Sequence, residues 1–232
     1  MRIPIDREQV EPIFSTPIGY YKYPDDKHAE LKDAVRAAIS RVNTGPSDWS
    51  ANLYHFYQHN NEHLLYDNDD PPFQDFHDWL EECYADFVID LQGWNTTQFA
   101  FITDCWVNIT KEGGSQVIHT HANAFVSGTY YLHMEEGAGP IIFMNPCAQP
   151  SRPYIGFDTT KTTQFNCTQW YGNCEEMRLL LWPGHIAHLT QPTQKGATRT
   201  SISMNFMPKN FTAGAYNYKV VKTDQQGNID ES

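Results

Sequence analysis

Hydrophobic positions in this chain change their period once, from helical spacing in the N-terminal part to strict alternation after residue 96. Residues 1–24 read as an extended lead-in: Ile13, Phe14, Ile18 and Tyr20 alternate with small or polar residues, and Pro12 and Pro17 punctuate them. That pattern suits an edge strand. From about Asp26 to Val42 the spacing of Leu31, Val35, Ala38 and Val42 predicts a helix, capped by Asp25 or Asp26 and ended by Gly45-Pro46-Ser47. Residues 48–71 are rich in aromatic and amide side chains and read as a polar surface loop. A second helix is predicted from about Pro72 to Leu91. Its apolar stripe is Phe73, Phe76, Leu80, Cys83, Phe87 and Leu91, with Gly93 beyond its end. The stripe is a face for packing on a sheet.

Beyond residue 96, Phe99, Phe101, Thr103, Cys105, Val107 and Ile109 alternate with Ala100, Ile102, Asp104, Trp106 and Asn108. Further strands are predicted at Gln116–His119, Phe125–Met134, Ile141–Phe143, Arg178–Trp182, Ile186–Thr190 and Arg199–Phe206, with a strand-like piece at Thr163–Phe165 inside the long 145–175 segment. In the last strand Arg199, Ser201, Ser203 and Asn205 share one face and Thr200, Ile202, Met204 and Phe206 the other. The polar face fits the inside of a barrel, and the apolar face fits the helical stripes. Helices followed by many short strands with Gly/Pro turns indicate an α+β chain. The simplest architecture is a double-sheet jelly roll with two supporting N-terminal helices.

Composition narrows this picture. At 232 residues the chain is long enough for one sizeable domain. Its expected parts are an N-terminal strand and helices over 1–95, a core over 96–208 and a tail over 209–232. The formal net charge is -12, which opposes charge-driven nucleic-acid binding. The five cysteines (Cys83, Cys105, Cys147, Cys167 and Cys174) form no CxxC pair. No apolar leader or membrane-length run is seen. These features fit a reducing, cytoplasmic compartment and no membrane association. The oligomeric state is left open, a homodimer included.

The chemistry gathers in the C-terminal half. His119 and His121, one residue apart on extended backbone, project to the same side. His188 comes from a distant strand and can complete one face of a metal's shell, leaving other positions open. Arg199 can grip a carboxylate through two parallel bonds, and Ser201, facing the same way, adds a hydroxyl. Trp106 and Asn108 share a strand face and can line the cavity, and Tyr131 is a further candidate contact. His55, His59 and His63, at four-residue spacing, are a competing set if residues 48–71 were helical. His133 is read as structural and His185 as a turn residue. The 145–175 and 48–71 segments are expected to shape the substrate pocket.

The run Trp106-Val107-Asn108, Gly113-Gly114, His119-Thr120-His121, Ser127-Gly128 with Tyr130-Tyr131, Gly139-Pro140-Ile141, Trp182-Pro183-Gly184, His188 and Arg199-Thr200-Ser201-Ile202-Ser203 resembles the 2-oxoglutarate/Fe(II)-dependent oxygenases of unassigned substrate found in bacteria and phages. The resemblance covers about residues 97–208 strongly and residues 12–17 weakly. It implies a double-stranded β-helix core, ferrous iron, dioxygen and 2-oxoglutarate as co-substrate, and oxidation of a further, unidentified substrate with release of succinate and CO2. It also implies that His119 and His188 are metal ligands and that Arg199 with Ser201 binds the distal carboxylate of 2-oxoglutarate.

One position departs from the wider superfamily, whose middle ligand is Asp or Glu where this chain has His121. Three readings follow: iron held by three histidines, His121 standing aside for water or an anion, or zinc with hydrolytic chemistry. Three-histidine iron is favoured. Two other functions stay open, a non-catalytic metal-binding jelly-roll accessory protein and a cupin-like three-histidine dioxygenase that uses no keto acid.

Overall fold

The computed structural model describes residues 15–42, 45–47, 50–58, 62–96, 100–146, 158, 160–223 and 229–230. In chain order its elements are strand β1 (Gly19–Lys22), helix α1 (Asp25–Ile39), β2 (Gly45–Ser47), β3 (Ser50–Phe56) and helix α2 (Pro71–Ala85). Next come β4 (Ala100–Thr110), β5 (Val126–Met134), β6 (Ile141–Met144), β7 (Gln169–Tyr171), β8 (Arg178–Pro183), β9 (His188–Thr190) and β10 (Arg199–Pro208). The strands form a seven-stranded antiparallel sheet in the order β1-β8-β5-β10-β4-β3-β2 and a three-stranded sheet β7-β6-β9. This is the two-sheet jelly roll with two N-terminal helices that the sequence predicts.

The helices cover the outer face of the large sheet. Phe73, Phe76, Leu80 and Phe87 pack with Tyr130, Ile202, Met204 and Phe206 in one buried cluster. A second, smaller cluster of Tyr131, Ile141, Phe143, Leu180, Trp182 and Ile186 joins the inner faces of the two sheets. The alternation of β10 is therefore literal: its apolar side chains meet the helices, while Arg199, Ser201, Ser203 and Asn205 line the cavity between the sheets.

Several local expectations are corrected. The α1 N-cap is Pro24, with Asp25 and Asp26 in the first turn where they face the positive end of the helix dipole. Helix α1 stops at Ile39, before Val42, and Gly45–Ser47 pairs as a strand on β3. Residues 50–56 are thus a sheet strand, although the 48–71 segment that contains them reads as a loop. Helix α2 ends in a π turn over Asp86–Asp90, closed by Leu91 N–H donating to the Asp86 carbonyl (2.8 Å). A π turn shifts the phase of the stripe, so Leu91 falls outside it and is 61% exposed. In β4, Asn205 pairs with Asp104 and Phe206 with Ile102, leaving Thr103 as an extra residue. This bulge breaks the predicted alternation: Ala100 and Ile102 join the helix-side core with Cys105 and Val107, while Asp104, Trp106 and Asn108 face the cavity.

Gln116–His119 is not a regular strand. Gln116 pairs with Thr190 and His119 with His188, so three residues on one side span two on the other and the ladder is interrupted. Thr163–Phe165 belongs to a turn, in which the Asn166 and Cys167 N–H groups donate to the Thr163 carbonyl (3.2 and 3.0 Å). Beyond residue 208 the expected tail carries a hairpin of β11 (Asn210–Ala213) and β12 (Tyr216–Lys219). At the N-terminus only β1, paired on β8, represents the predicted edge strand; Ile13 and Phe14 lie outside the described residues.

A charged cluster ties α1 to the edge of the large sheet. Glu176 accepts from Lys32 (2.5 Å) and pairs with His28 (3.2 Å) and His133 (3.0 Å). Burial raises the Glu176 carboxyl, but Lys32 and the two histidines outweigh it and hold the group down at about 2, against an ordinary 4.5. A depressed carboxyl stabilises the folded state above its unfolded pKa, and that contribution is lost as pH falls from 4.5 through 2. Glu176→Gln is therefore expected to lower stability at neutral pH and to flatten its decline below pH 4.5, measured by denaturant unfolding across a pH series. Parallel curves for the two proteins would count against this role.

Candidate metal centre and co-substrate pocket

Three backbone contacts bring the histidines together. His119 and His188 exchange N–H···O bonds of 2.9 and 3.0 Å, so their side chains start from paired positions. The His121 N–H donates to the Gly184 carbonyl (2.9 Å), and the Gly184 N–H to the Phe125 carbonyl (3.0 Å). A Cβ on Gly184 would collide with the Ala124 carbonyl and crowd that of His121. Glycine in the Trp182-Pro183-Gly184 turn is thus what lets the His-Thr-His loop close onto β8. One ring nitrogen from each of His119, His121 and His188 lies within 4.8 Å of those of the other two. Ring centroids are 4.3 Å apart for His119 and His188, and 5.2 Å for each pair with His121.

Two of the rings are anchored by their other nitrogen. His119 Nδ1–H donates to the Val117 carbonyl (2.8 Å) and His188 Nδ1–H to the Ile186 carbonyl (2.9 Å), which leaves Nε2 of both as a lone-pair donor. His121 makes a side-chain hydrogen bond with Asn205. Asn205 is itself held by Ser127 Oγ–H (3.0 Å) and by its own Nδ2–H to Asp104 (3.0 Å). Burial and the neighbouring His119 lower His121 to about 4 and His188 to about 3. Both rings are neutral at pH 7, the form that binds a metal. Three imidazoles on one side of a shared point suit a divalent transition ion with open positions.

Arg199 lies deep in the same cavity, of about 380 Å3. Only 4% exposed, it donates Nη1–H to the Gly139 carbonyl and Nη2–H to Thr110 Oγ1 (3.2 Å). No carboxylate pairs with it among the described residues, and its Nε–H has no partner. The Trp182 Nε1–H, also lining the cavity, is a second buried donor without one. A buried guanidinium without a counter-ion is costly. It makes the Arg199 end of the cavity complementary to an anion that the protein does not itself supply. Ser201 and Tyr131 line the same region. In β5 the extra residue Leu132 sets Tyr131 opposite Ser201, pointing into the cavity. Burial pushes its hydroxyl well above the usual range, so it stays a neutral donor.

Asn108 is committed mainly to protein partners. Its Oδ1 accepts from Trp106 Nε1 (3.0 Å) and His55 Nδ1 (2.6 Å), and its Nδ2 donates to Ser203 Oγ (2.8 Å). Of the competing histidine set, the described members His55 and His63 join no metal-ligand cluster among the described residues. His55 lines the cavity from β3, His63 is buried with its Nε2–H on the Ile102 carbonyl (2.9 Å), and His59 lies outside the described residues. His133 joins the Glu176 cluster and His185 is an exposed turn residue, as expected. Cys167 and Cys174 are unpaired; Cys174 Sγ–H donates to Tyr131 (3.0 Å). Cys147 lies outside the described residues. The sequence leaves unmarked Thr110 and Gly139 around Arg199, Trp182 beside His188, and Asp104 with Asn205 behind His121. The β4–β10 register, Arg199 opposite Thr110 and Asn205 opposite Asp104, is the signal that places Thr110, Asp104 and Asn205.

Fold and site together define a jelly roll with a three-imidazole face that could hold a metal ion and a buried cationic pocket beside it. Residues 104–205 match the family model described as "Putative 2OG-Fe(II) oxygenase". That span runs from within β4 to within β10 and contains the three histidines and Arg199, so over these residues the chain is similar to that family. No curated protein sequence matches the chain. Solved structures with the same fold include a Pseudomonas putida prolyl-4-hydroxylase (TM-score 0.56, 10% identity, 84% of this chain and 94% of that one). Another is the epimerase SnoN in complex with Fe3+, alpha ketoglutarate and nogalamycin RO (TM-score 0.62, 10%, 92% and 94%). A third is HygX from Streptomyces hygroscopicus with nickel and 2-oxoglutarate bound (TM-score 0.54, 10%, 83% and 83%). At these identities the likeness is one of fold. Iron(II) and 2-oxoglutarate are the family's cofactors, and the three-histidine cluster and anion pocket fit both. Among the described residues no helix is long and apolar enough to cross a membrane.

Proposed function

We propose that this chain is a 2-oxoglutarate- and iron(II)-dependent hydroxylase whose metal is held by His119, His121 and His188. The carrying observation is the convergence of three imidazoles with a buried Arg199, unpaired by any carboxylate among the described residues, in one cavity. When bound, iron with the keto acid supplies oxidative decarboxylation to succinate and CO2, coupled to oxygen insertion into a substrate C–H bond. The protein's part is positioning. Val117, Ile186 and Asn205 fix the three rings. Arg199 and Ser201 receive the distal carboxylate of 2-oxoglutarate, with Thr110 and Gly139 orienting the guanidinium and Tyr131 adding a neutral hydroxyl donor. Asn108 braces Trp106 and His55 along the cavity wall. A keto-acid-independent three-histidine dioxygenase would have no use for an uncompensated guanidinium in its core. The four described cysteines are free, which suits a reducing, cytoplasmic setting.

The test is substrate-independent conversion of 2-oxoglutarate to succinate. Succinate is expected only with added Fe(II) and dioxygen, and not with Zn(II) in its place. No turnover, combined with no 2-oxoglutarate binding to the anaerobic Fe(II) protein, would sink the reading.

A further inference from the structure

We infer that the substrate of this site carries a positively charged nitrogen, held by Asp104 and Glu62 beside the Trp106 ring. This rests on the oxygenase reading and names the chemistry of its unidentified substrate. The cavity is electrically polarised along its length. Arg199 stands opposite Thr110 and Asn205 opposite Asp104, so the guanidinium and the Asp104 carboxylate occupy opposite ends of one two-strand ladder. At roughly 3.3 Å per residue that separation is about 20 Å. A five-carbon diacid anchored at Arg199 spans only part of it and leaves the Asp104 end to another molecule.

That end is anionic and aromatic. Asp104, Glu62, Trp106 and Tyr57 line it, and Arg199 is the one Lys or Arg among the described lining residues. Neither Asp104 nor Glu62 forms an ion pair among the described residues. Asp104 accepts three hydrogen bonds, from Thr103 (3.0 Å), Asn123 (3.2 Å) and Asn205 (3.0 Å), all from neutral groups and all on Oδ2. Its position is thereby fixed, its charge is uncompensated, and Oδ1 takes no hydrogen bond among the described residues. Asp104 is not part of the histidine cluster, so its carboxylate is available to a ligand beside the metal.

Charge balance points the same way. Three neutral imidazoles bring no charge to a divalent ion, and the 2-oxoglutarate dianion cancels the ion. Arg199 then leaves one positive charge against two carboxylates, and a monocation completes neutrality. The Trp106 ring, 6.3 Å from that of His121, offers a cation–π face next to the reacting position. The chain's net charge of -12 favours approach of a cation over an anion.

The experiment loads the protein with Ni(II), a non-turning-over ion suited to imidazole, and with 2-oxoglutarate, then titrates benzylammonium, benzyl alcohol and benzoate by calorimetry. Benzylammonium is expected to bind about ten-fold tighter than benzyl alcohol, with benzoate weaker still. Glu62→Gln should reduce that preference with Ni(II) and 2-oxoglutarate binding retained, and Asp104→Asn, measured at saturating Ni(II) because Asp104 holds Asn205 behind His121, should remove it. The Glu62 variant, outside the Asn205 and Asn123 hydrogen bonds, keeps the test valid if Asp104→Asn misfolds. Equal binding of the three probes, no benzylammonium binding at millimolar concentration, or a preference unchanged in both variants overturns the inference. Failure of the oxygenase reading is seen separately, as absence of 2-oxoglutarate binding to Ni(II)-loaded wild type before any probe is added.

Discussion

Arg199→Met is expected to abolish useful 2-oxoglutarate binding while making the metal-free protein more stable. The two effects share a cause. Arg199 is 4% exposed, has no carboxylate partner among the described residues, and carries one N–H that donates to nothing. A buried ion left uncompensated costs several kcal/mol, and losing its bonds to Gly139 and Thr110 returns about 1 kcal/mol each. The net expectation is a gain of about 1 kcal/mol, or roughly 2–4 °C for a chain of this size. With the keto acid the sign reverses. Removing one partner of a buried, hydrogen-bonded charge pair costs about 2–5 kcal/mol, so affinity should fall about 30- to 5,000-fold. Metal binding should persist, because Arg199 touches none of the three rings. Arg199→Lys should recover part of the affinity, since an ammonium supplies the charge but not the planar pair of donors. Thermal unfolding with and without 2-oxoglutarate reads both effects. An Arg199→Met protein that the keto acid still stabilises as much as wild type would refute the assignment.

His188→Ala is the second large effect. It removes one of three ligands while preserving the backbone bonds of 2.9 and 3.0 Å that pair position 188 with His119. Disturbing a partner of a ligand already costs about 10- to 100-fold in metal affinity or activity, so loss of the ligand itself should exceed that range and bring succinate formation to background. His121→Asp is the informative companion. If position 121 faces the ion, a carboxylate there should hold it as well as the imidazole does, and the variant should retain metal. Metal content after gel filtration, measured by elemental analysis, checks both. Full iron in His188→Ala would place the metal elsewhere.

How much of this was legible in the sequence varied with the regularity of each element. Strand β10 could be read residue by residue because its two faces differ in kind and its backbone is regular through the site. The order of His119, His121, His188 and Arg199 was legible as chemistry, but not the way the histidines are carried. The segment before His119 is an interrupted ladder, and its closure depends on Gly184 meeting the His-Thr-His loop. Strand β4 misled at Thr103, because a bulge adds one residue without changing the alternation of letters. The same bulge separates Asp104, at the mouth of the cavity, from Ile102 in the core. Leu91 misled for the corresponding helical reason, a π turn that alters the phase. Strand β3 was missed because it is short and lies within a segment whose Asn, Gln and Asp content imitates a loop, and its pairing with β4 is a long-range fact. Arg199 could be chosen from its distance to His188, but its burial without a carboxylate could not, and that is what turns a plausible residue into an anion site.

The most direct test of the account is an anaerobic crystal structure of the wild-type protein with Fe(II) and 2-oxoglutarate. The expected result is one iron ligated by His119, His121 and His188, with the distal carboxylate of the keto acid on Arg199 and Ser201. Iron bound without these histidines, or 2-oxoglutarate bound away from Arg199, would contradict it.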